Sequence, residues 1–319
     1  MIGTPDPDFL NPLTNPILLE VIKRFILVFI AGFILILILK KFQIKNLWQG
    51  ELGKRYLSWL VIGTILLIVL FTGGIPSIIF LYIIIILALK EISNLANLPK
   101  SYFYTMAILG IISIITASYF TDKFYMLPIL YLASLTTLTI RRNDKRGFSK
   151  LAFSLYTSIW IIFFLCHFIL LGHLNNTFDN TKSLLFLLAF AVPLADIGAY
   201  IFGRAFSKID FLNRFKIANK ISPKKIWAGV IGDIIGAGIG ISIMYFAIGS
   251  YFTIPQLIIL ACLIGIFSVI GDMNESLIKR YFNAKDSGEL IPGHGGILDR
   301  IDSILRVIVI VYYFSSAVL

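Results

Sequence analysis

Charge is scarce in this chain. Of its 319 residues only 14% are charged, against about 25% in an ordinary soluble domain. Acids are the scarcer sign, with 17 Asp and Glu against 28 Lys and Arg and a net charge of +11. Cysteine is nearly absent: Cys166 and Cys262 each sit inside an apolar run, without metal-ligand spacing or an obvious partner. Both read as small buried hydrophobes. With so few Cys and three His, a zinc centre has too few ligands, and no Ser-His-Asp arrangement is present. The Gly pattern is not a dinucleotide fingerprint. No basic and aromatic groove stands apart from the apolar runs, so nucleic acid is not an expected partner. The N-terminal stretch, residues 1–16, is acidic and Pro-rich, without the basic flank and small-residue cleavage site of a signal peptide, so the first apolar helix is expected to be retained.

What the chain has is hydrocarbon. It is 58% hydrophobic, with a mean hydropathy of +0.90. The apolar runs are continuous rather than alternating, which favours helices over a barrel. The expected fold is all-α, a polytopic integral membrane protein of about ten spans: 17–39, 57–72, 75–90, 102–120, 124–141, 151–172, 183–203, 226–248, 254–271 and 303–319. Glu20, Lys23 and Arg24 lie in the first, spaced to pair on one face near the interface. An interfacial first helix with nine spans is the alternative. Basic residues alternate by loop. Segments 40–56, 141–150, 204–225 and 272–302 are rich in Lys and Arg, and the intervening connections hold hardly any. The positive-inside rule then puts both termini outside and residues 272–302 at the cytoplasmic face. That basic face also suits anionic membrane lipids or nucleotides. No strong internal repeat is visible. Chemistry-bearing residues gather late in the chain, dividing it into an N-terminal scaffold (1–180) and a C-terminal catalytic region (181–319).

The polar island Ser276–Asp302 is costly in such a chain unless it has a use. Just before it, Asp272, Glu275, Ser276 and Lys279 recur at i, i+3, i+4 and i+7, one face of a helix continuing the run 254–271. Next, Gly293, His294, Gly295 and Gly296 form a loop opening onto a helix start, where free N–H groups favour an anion. Asp299, Asp302, Ser303 and Arg306 share a face of that following helix. Carboxylates beside an anion site make sense with Mg²⁺ between them. Asp196 sits within an apolar run, which marks it as functional. The basic run Lys220–Lys225 offers point charges to phosphates. Together these residues indicate Mg²⁺-assisted phosphoryl or nucleotidyl transfer.

The same residues resemble the phosphatidate cytidylyltransferase family, the CDP-diacylglycerol synthases. The family pattern S-x-x-K-R, K-D, H-G-G-x-x-D-R-x-D appears as Ser276, Lys279, Arg280, Lys285, Asp286, His294, Gly295, Gly296, Asp299, Arg300 and Asp302. Asp196–Tyr200 and Ile221–Lys225 resemble two further family stretches. The likeness is specific over about 190–303. One departure stands out: where the family continues Thr-x-Glu-Gly, this chain has Ile226-Trp227-Ala228-Gly229. The resemblance implies transfer of CMP from CTP to phosphatidic acid, with Mg²⁺, a second monovalent or divalent cation, and a homodimer. On that footing Asp272 and Asp299 hold the principal ion, with Asp196, Asp286 and Asp302 as further ligands or partners of ligands. Catalytic work falls to Asp272, Asp299, Asp302, Lys279 and His294. Lys224, Lys225, Ser276, Arg280, Lys285, Arg300 and the amides of Gly295 and Gly296 bind substrate. A CTP-dependent polyprenol-type lipid kinase is the alternative enzyme, and a transporter with an intramembrane Asp relay the alternative from another class.

Overall fold

The structure, a computed structural model, describes residues 16–39, 51–175, 183–207, 209, 216–219, 221–288 and 295–319. Its helices are α1 (Pro16–Leu39), α2 (Glu51–Thr72), α3 (Gly74–Leu95), α4 (Lys100–Tyr119), α5 (Leu127–Arg142), α6 (Gly147–Thr157), α7 (Phe164–Asn175), α8 (Ser183–Phe206), α9 (Trp227–Ile248), α10 (Ile254–Tyr281) and α11 (Leu298–Val318). A 3₁₀ turn, Thr121–Met126, leads into α5, and a π turn, Ser158–Phe163, joins α6 to α7. A short antiparallel hairpin, β1 (Lys216–Ala218) and β2 (Ser222–Ile226), pairs Lys216 with Ile226 and Ala218 with Ser222. It is a small exception to the expected all-helical fold, and the Ser-Pro-Lys-Lys run lies on its second strand.

Among the described residues, eight helical stretches are long and apolar enough to cross a membrane. They coincide with the last eight expected spans, and the largest extension is at 254–281, expected as 254–271. Where the first two spans were expected lie α1 and α2. The charges of α1 pair as their spacing predicts, Lys23 with Glu20 at 2.9 Å and Arg24 with Glu20 at 3.8 Å. Arg24 also donates to the Ile243 carbonyl of α9 and lies over the Phe246 ring. Its charge is thereby spread over a carboxylate, a carbonyl and a π face.

Two apolar cores form. One gathers α1, α2 and α8–α11 around residues such as Leu70, Phe186, Met244, Leu260 and Val311. The other gathers α3–α7 around Ile85, Met106, Tyr131 and Trp160, and is capped by Ile278, Leu298 and Leu305. The site is thus built where α10 and α11 belong to both cores.

The helices that carry the site are antiparallel neighbours brought close by small residues. On α9, Gly232, Gly236 and Gly240 recur every fourth residue and meet the α8 backbone. A Cβ added at Gly236 would lie 2.7 Å from the Leu194 carbonyl carbon and 2.9 Å from Ala195 Cα. Small-residue stripes of this kind let helices approach closely where apolar burial alone gives no drive. Gly236→Ala is therefore expected to push α8 from α9 and to cost about 1–3 kcal/mol of overpacking, seen as a lower melting temperature in detergent. On α10, a Cβ at Gly271 would meet the Ser303 Cα at 2.9 Å and the Asp302 carbonyl carbon at 3.1 Å, so backbone touches backbone there as well.

Helix α10 is well delimited. Thr253 and Gln256 form a capping box at its start, with Pro255 in the first turn. At its end Asn283 takes φ 54°, and Arg280 donates to the Ala284 carbonyl at 3.0 Å. Its 28 residues span about 42 Å at about 1.5 Å each, against about 30 Å of hydrocarbon. The excess carries Asp272–Lys279 to the membrane boundary and beyond.

Candidate active site

The acids meet at one end of the bundle. Asp272 and Glu275 project from the last turns of α10, and Asp302 from the first turns of α11. The contact at Gly271 is what brings these segments together. One carboxylate oxygen from each of the three lies within 4.8 Å of the others. Glu275 and Asp302 are buried, and Asp272 is half-buried. Asp272 pairs with Lys225 of β2 at 2.5 Å and accepts a long 3.3 Å hydrogen bond from Ser276. Glu275 Oε2 receives Lys279 at 2.6 Å, while its Oε1 is buried and, among the described residues, accepts no hydrogen bond.

Asp299 stands one step from that trio. Lys279 bridges the two, donating to Glu275 and to Asp299 Oδ1 at 2.6 Å each. The other Asp299 oxygen accepts from the Ser287 amide (3.0 Å), the Ser287 hydroxyl (2.8 Å) and the Gly296 amide (2.8 Å). Asp299 Oδ1 is thus held by Lys279 of α10, while Oδ2 ties the segment before α11 to that helix's first turn. Gly295, at φ +83°, permits this: a Cβ there would lie 2.6 Å from Asp299 Oδ2.

The trio opens onto a groove of about 850 Å³ between α8, the hairpin, α9, α10 and α11. Asp196 faces it from α8, accepting from Ser268 at 3.0 Å and Ser303 at 3.3 Å. Cations line it as well: Arg204, Lys216, Lys225, Lys279 and Arg300. Its apolar wall includes Ala199, Ile226, Val230 and Val269. Ile226, which departs from the family pattern, is buried there.

Of the residues expected from sequence, the groove collects Asp196, Lys225, Asp272, Lys279, Asp286, Asp299, Arg300 and Asp302. Arg280 instead caps the end of α10, and Lys285 is exposed. Ser276 donates to Asp272 at 3.3 Å. Lys224 lies on β2, but its side chain, like all of His294 and Gly293, falls outside the described residues. The start of α11 does not match the expectation of amides left free for an anion. The Gly296 amide serves Asp299, and those of Ile297 and Leu298 donate to Glu91 at 2.8 and 2.9 Å.

Four residues were not singled out from sequence. Glu275 was seen on the correct face but given no role. Asp233, 4% exposed on α9, also lines the groove; the signal that singled out Asp196, an acid within an apolar run, applied to it equally. Lys216 was read only as loop charge. Glu91, near the end of α3, carried no local signal at all.

A bed of oxygen ligands ringed by cations is suited to polyphosphate chemistry, and comparison with known proteins agrees. Residues 53–318 match the cytidylyltransferase family. The chain is 31% identical over 265 residues to a phosphatidate cytidylyltransferase of Staphylococcus haemolyticus, covering 80% of this chain and 95% of that protein. It is 43% identical over 142 residues to one of Haemophilus influenzae, 42% of this chain and 47% of that one. A match over most of its length, with the family's acids and lysine gathered in one groove, makes this chain a member of the cytidylyltransferase family.

Proposed function

We propose that the chain transfers CMP from CTP to phosphatidic acid, giving CDP-diacylglycerol and pyrophosphate. The observation that carries the reading is the convergence of Asp272, Glu275 and Asp302 beside Lys225, in a family member whose relatives bear that name. An oxygen of the lipid phosphate attacks the α-phosphorus of CTP. The new P–O bond forms as the bond to the bridging oxygen of pyrophosphate breaks. The nucleophile is already ionised at neutral pH, so no strong base is called for. The barrier is repulsion between two polyanions and charge gathering on the departing pyrophosphate, which positioned cations offset. Lys216, Lys225, Arg204 and Arg300 are assigned to the phosphates. The apolar wall of the groove is assigned to the acyl chains, which then need not leave the bilayer.

Mg²⁺ fits the trio. The ligands are all oxygen, as this ion demands, and Glu275 Oε1 is buried and accepts no hydrogen bond among the described residues. Asp272, Glu275 and Asp302 would hold it, and Asp299 is assigned to position Lys279 and the loop. When bound, a divalent ion supplies charge stabilisation to the phosphoryl oxygens. A second cation, monovalent or divalent, would fall to the Asp196 side of the groove. We extend the reading to ten spans counting α1 and α2, both termini outside, the groove at the cytoplasmic face, a scaffold half and a catalytic half dividing near residue 180, and a homodimer.

The test is purified protein with phosphatidic acid, Mg²⁺ and CTP labelled at its α-phosphorus. Label is expected in the lipid, with pyrophosphate released, and chelation is expected to stop the reaction until Mg²⁺ is restored. Phosphorylated lipid with free CDP would indicate a kinase and refute the proposal.

A further inference from the structure

We propose that Glu91, in the scaffold half, is a positioning residue for the reaction. It holds the first turn of α11 in place and, through it, the spacing of the catalytic acids. The inference rests on the CMP-transfer reading above.

The geometry is that of a fitted socket. Glu91 lies one turn from the end of α3. Its Oε1 accepts from the Ile297 amide at 2.8 Å, and its Oε2 from the Leu298 amide at 2.9 Å and the Ser287 hydroxyl at 3.2 Å. Two glycines leave room for the carboxylate. A Cβ at Gly288 would lie 2.8 Å from Glu91 Oε1, and one at Gly296 would lie 2.7 Å from the Glu91 carboxyl carbon. A carboxylate at a helix N-terminus complements the helix dipole and satisfies amides that have no intrahelical partner. Here the carboxylate comes from about 200 positions away.

Glu91 and Asp299 act on the same piece of chain. The Ser287 hydroxyl lies between them, within reach of both carboxylates. Gly296 serves Asp299, and the next two amides serve Glu91. The first turn of α11 is therefore gripped from two sides, and Asp302 follows one turn later. Glu91 is spent on Ser287 and the Ile297 and Leu298 amides, and is not in the lining of the groove, whose cations lie on α8, the hairpin, α10 and α11 among the described residues. Its loss should therefore disturb the placement of Asp302 and Asp299 while leaving the phosphate-binding surface of α8 and the hairpin in place.

The test uses the full chain in detergent, comparing Glu91→Gln and Glu91→Ala with wild type. Turnover with CTP and phosphatidic acid is measured alongside melting temperature and hydrogen exchange. Because misplacing reacting groups by about 1 Å costs about a hundredfold, Glu91→Ala is expected to lower kcat by about that factor, with KM for CTP within about twofold of wild type. Glu91→Gln keeps one acceptor and should lose about tenfold, as when a ligand's supporting partner is removed. In both variants exchange should quicken at Ile297 and Leu298 and not in α8 or α9. Wild-type kcat in both variants would overturn the proposal. So would a Glu91→Gln protein that melts early, with exchange raised throughout, since that is general destabilisation. Should wild type show no CMP transfer, the reaction reading fails. The exchange comparison then decides the Glu91 grip by itself, and unchanged protection at Ile297 and Leu298 overturns it.

Discussion

Asp302→Asn is expected to lower CMP transfer by about a thousandfold or more, the scale of losing one preorganised electrostatic partner of the transition state. The same change should leave the fold as stable as before, or slightly more so. Asp302 is buried against Asp272 and Glu275, and three carboxylates that close repel one another whenever no ion lies between them. Asparagine keeps the shape and the oxygen that accepts the Ser303 amide at 2.8 Å, and removes one charge from the trio. Turnover with labelled CTP and a melting curve without added metal are the two measurements. An active Asp302→Asn protein would show that the trio is not the reacting centre. An inactive one that also melts many degrees lower would show that Asp302 is a structural residue.

The second large effect runs the other way, with stability and activity falling together. Lys279 is 12% exposed and bridges Glu275 and Asp299, whose side chains are 2% and 6% exposed, at 2.6 Å each. Taking one partner out of a buried ion pair costs about 3–5 kcal/mol, because the charge left behind is neither solvated nor matched. Lys279→Met is expected to destabilise by that amount and to abolish turnover. Adding Glu275→Gln should recover part of the stability, by removing one of the two stranded carboxylates, without recovering activity. If the double variant melts as low as the single one, Lys279 is held by packing of its stem and the electrostatic account fails. The cycle of single and double variants is the measurement that isolates the pair.

Much of this arrangement could be read from the residues alone. Continuous apolar runs gave eight of the ten expected spans, because a helix in lipid leaves no alternative pattern to confuse it with. The i, i+3, i+4, i+7 recurrence of Asp272, Glu275, Ser276 and Lys279 placed one wall of the site, since helical geometry converts spacing into direction. Pairing across elements was not legible. The loop before α11 reads by sequence as a phosphate cradle, yet its amides at Gly296, Ile297 and Leu298 serve the chain's own carboxylates. What sequence hides is a competing anion from a remote helix, and Glu91 in the last turns of a span looks like any solvated end. Asp299 carried the same ambiguity. A carboxylate at a helix start can serve an ion or the chain's own amides, and only the positions of Ser287 and Gly296 distinguish the two. Asp233 is legible by the same rule as Asp196, an acid within an apolar run.

The touching of α10 and α11 at Gly271 has a consequence for selectivity. The two acid-bearing segments meet there main chain against main chain. The bite of the carboxylates is consequently a fixed gauge. Mg²⁺ takes oxygens at about 2.0–2.1 Å and Ca²⁺ at about 2.3–2.6 Å, a difference smaller than the thickness of one methyl group. On the reading proposed above, the choice between a small and a large cation would be governed by a side chain that is not present, one residue before the first acid.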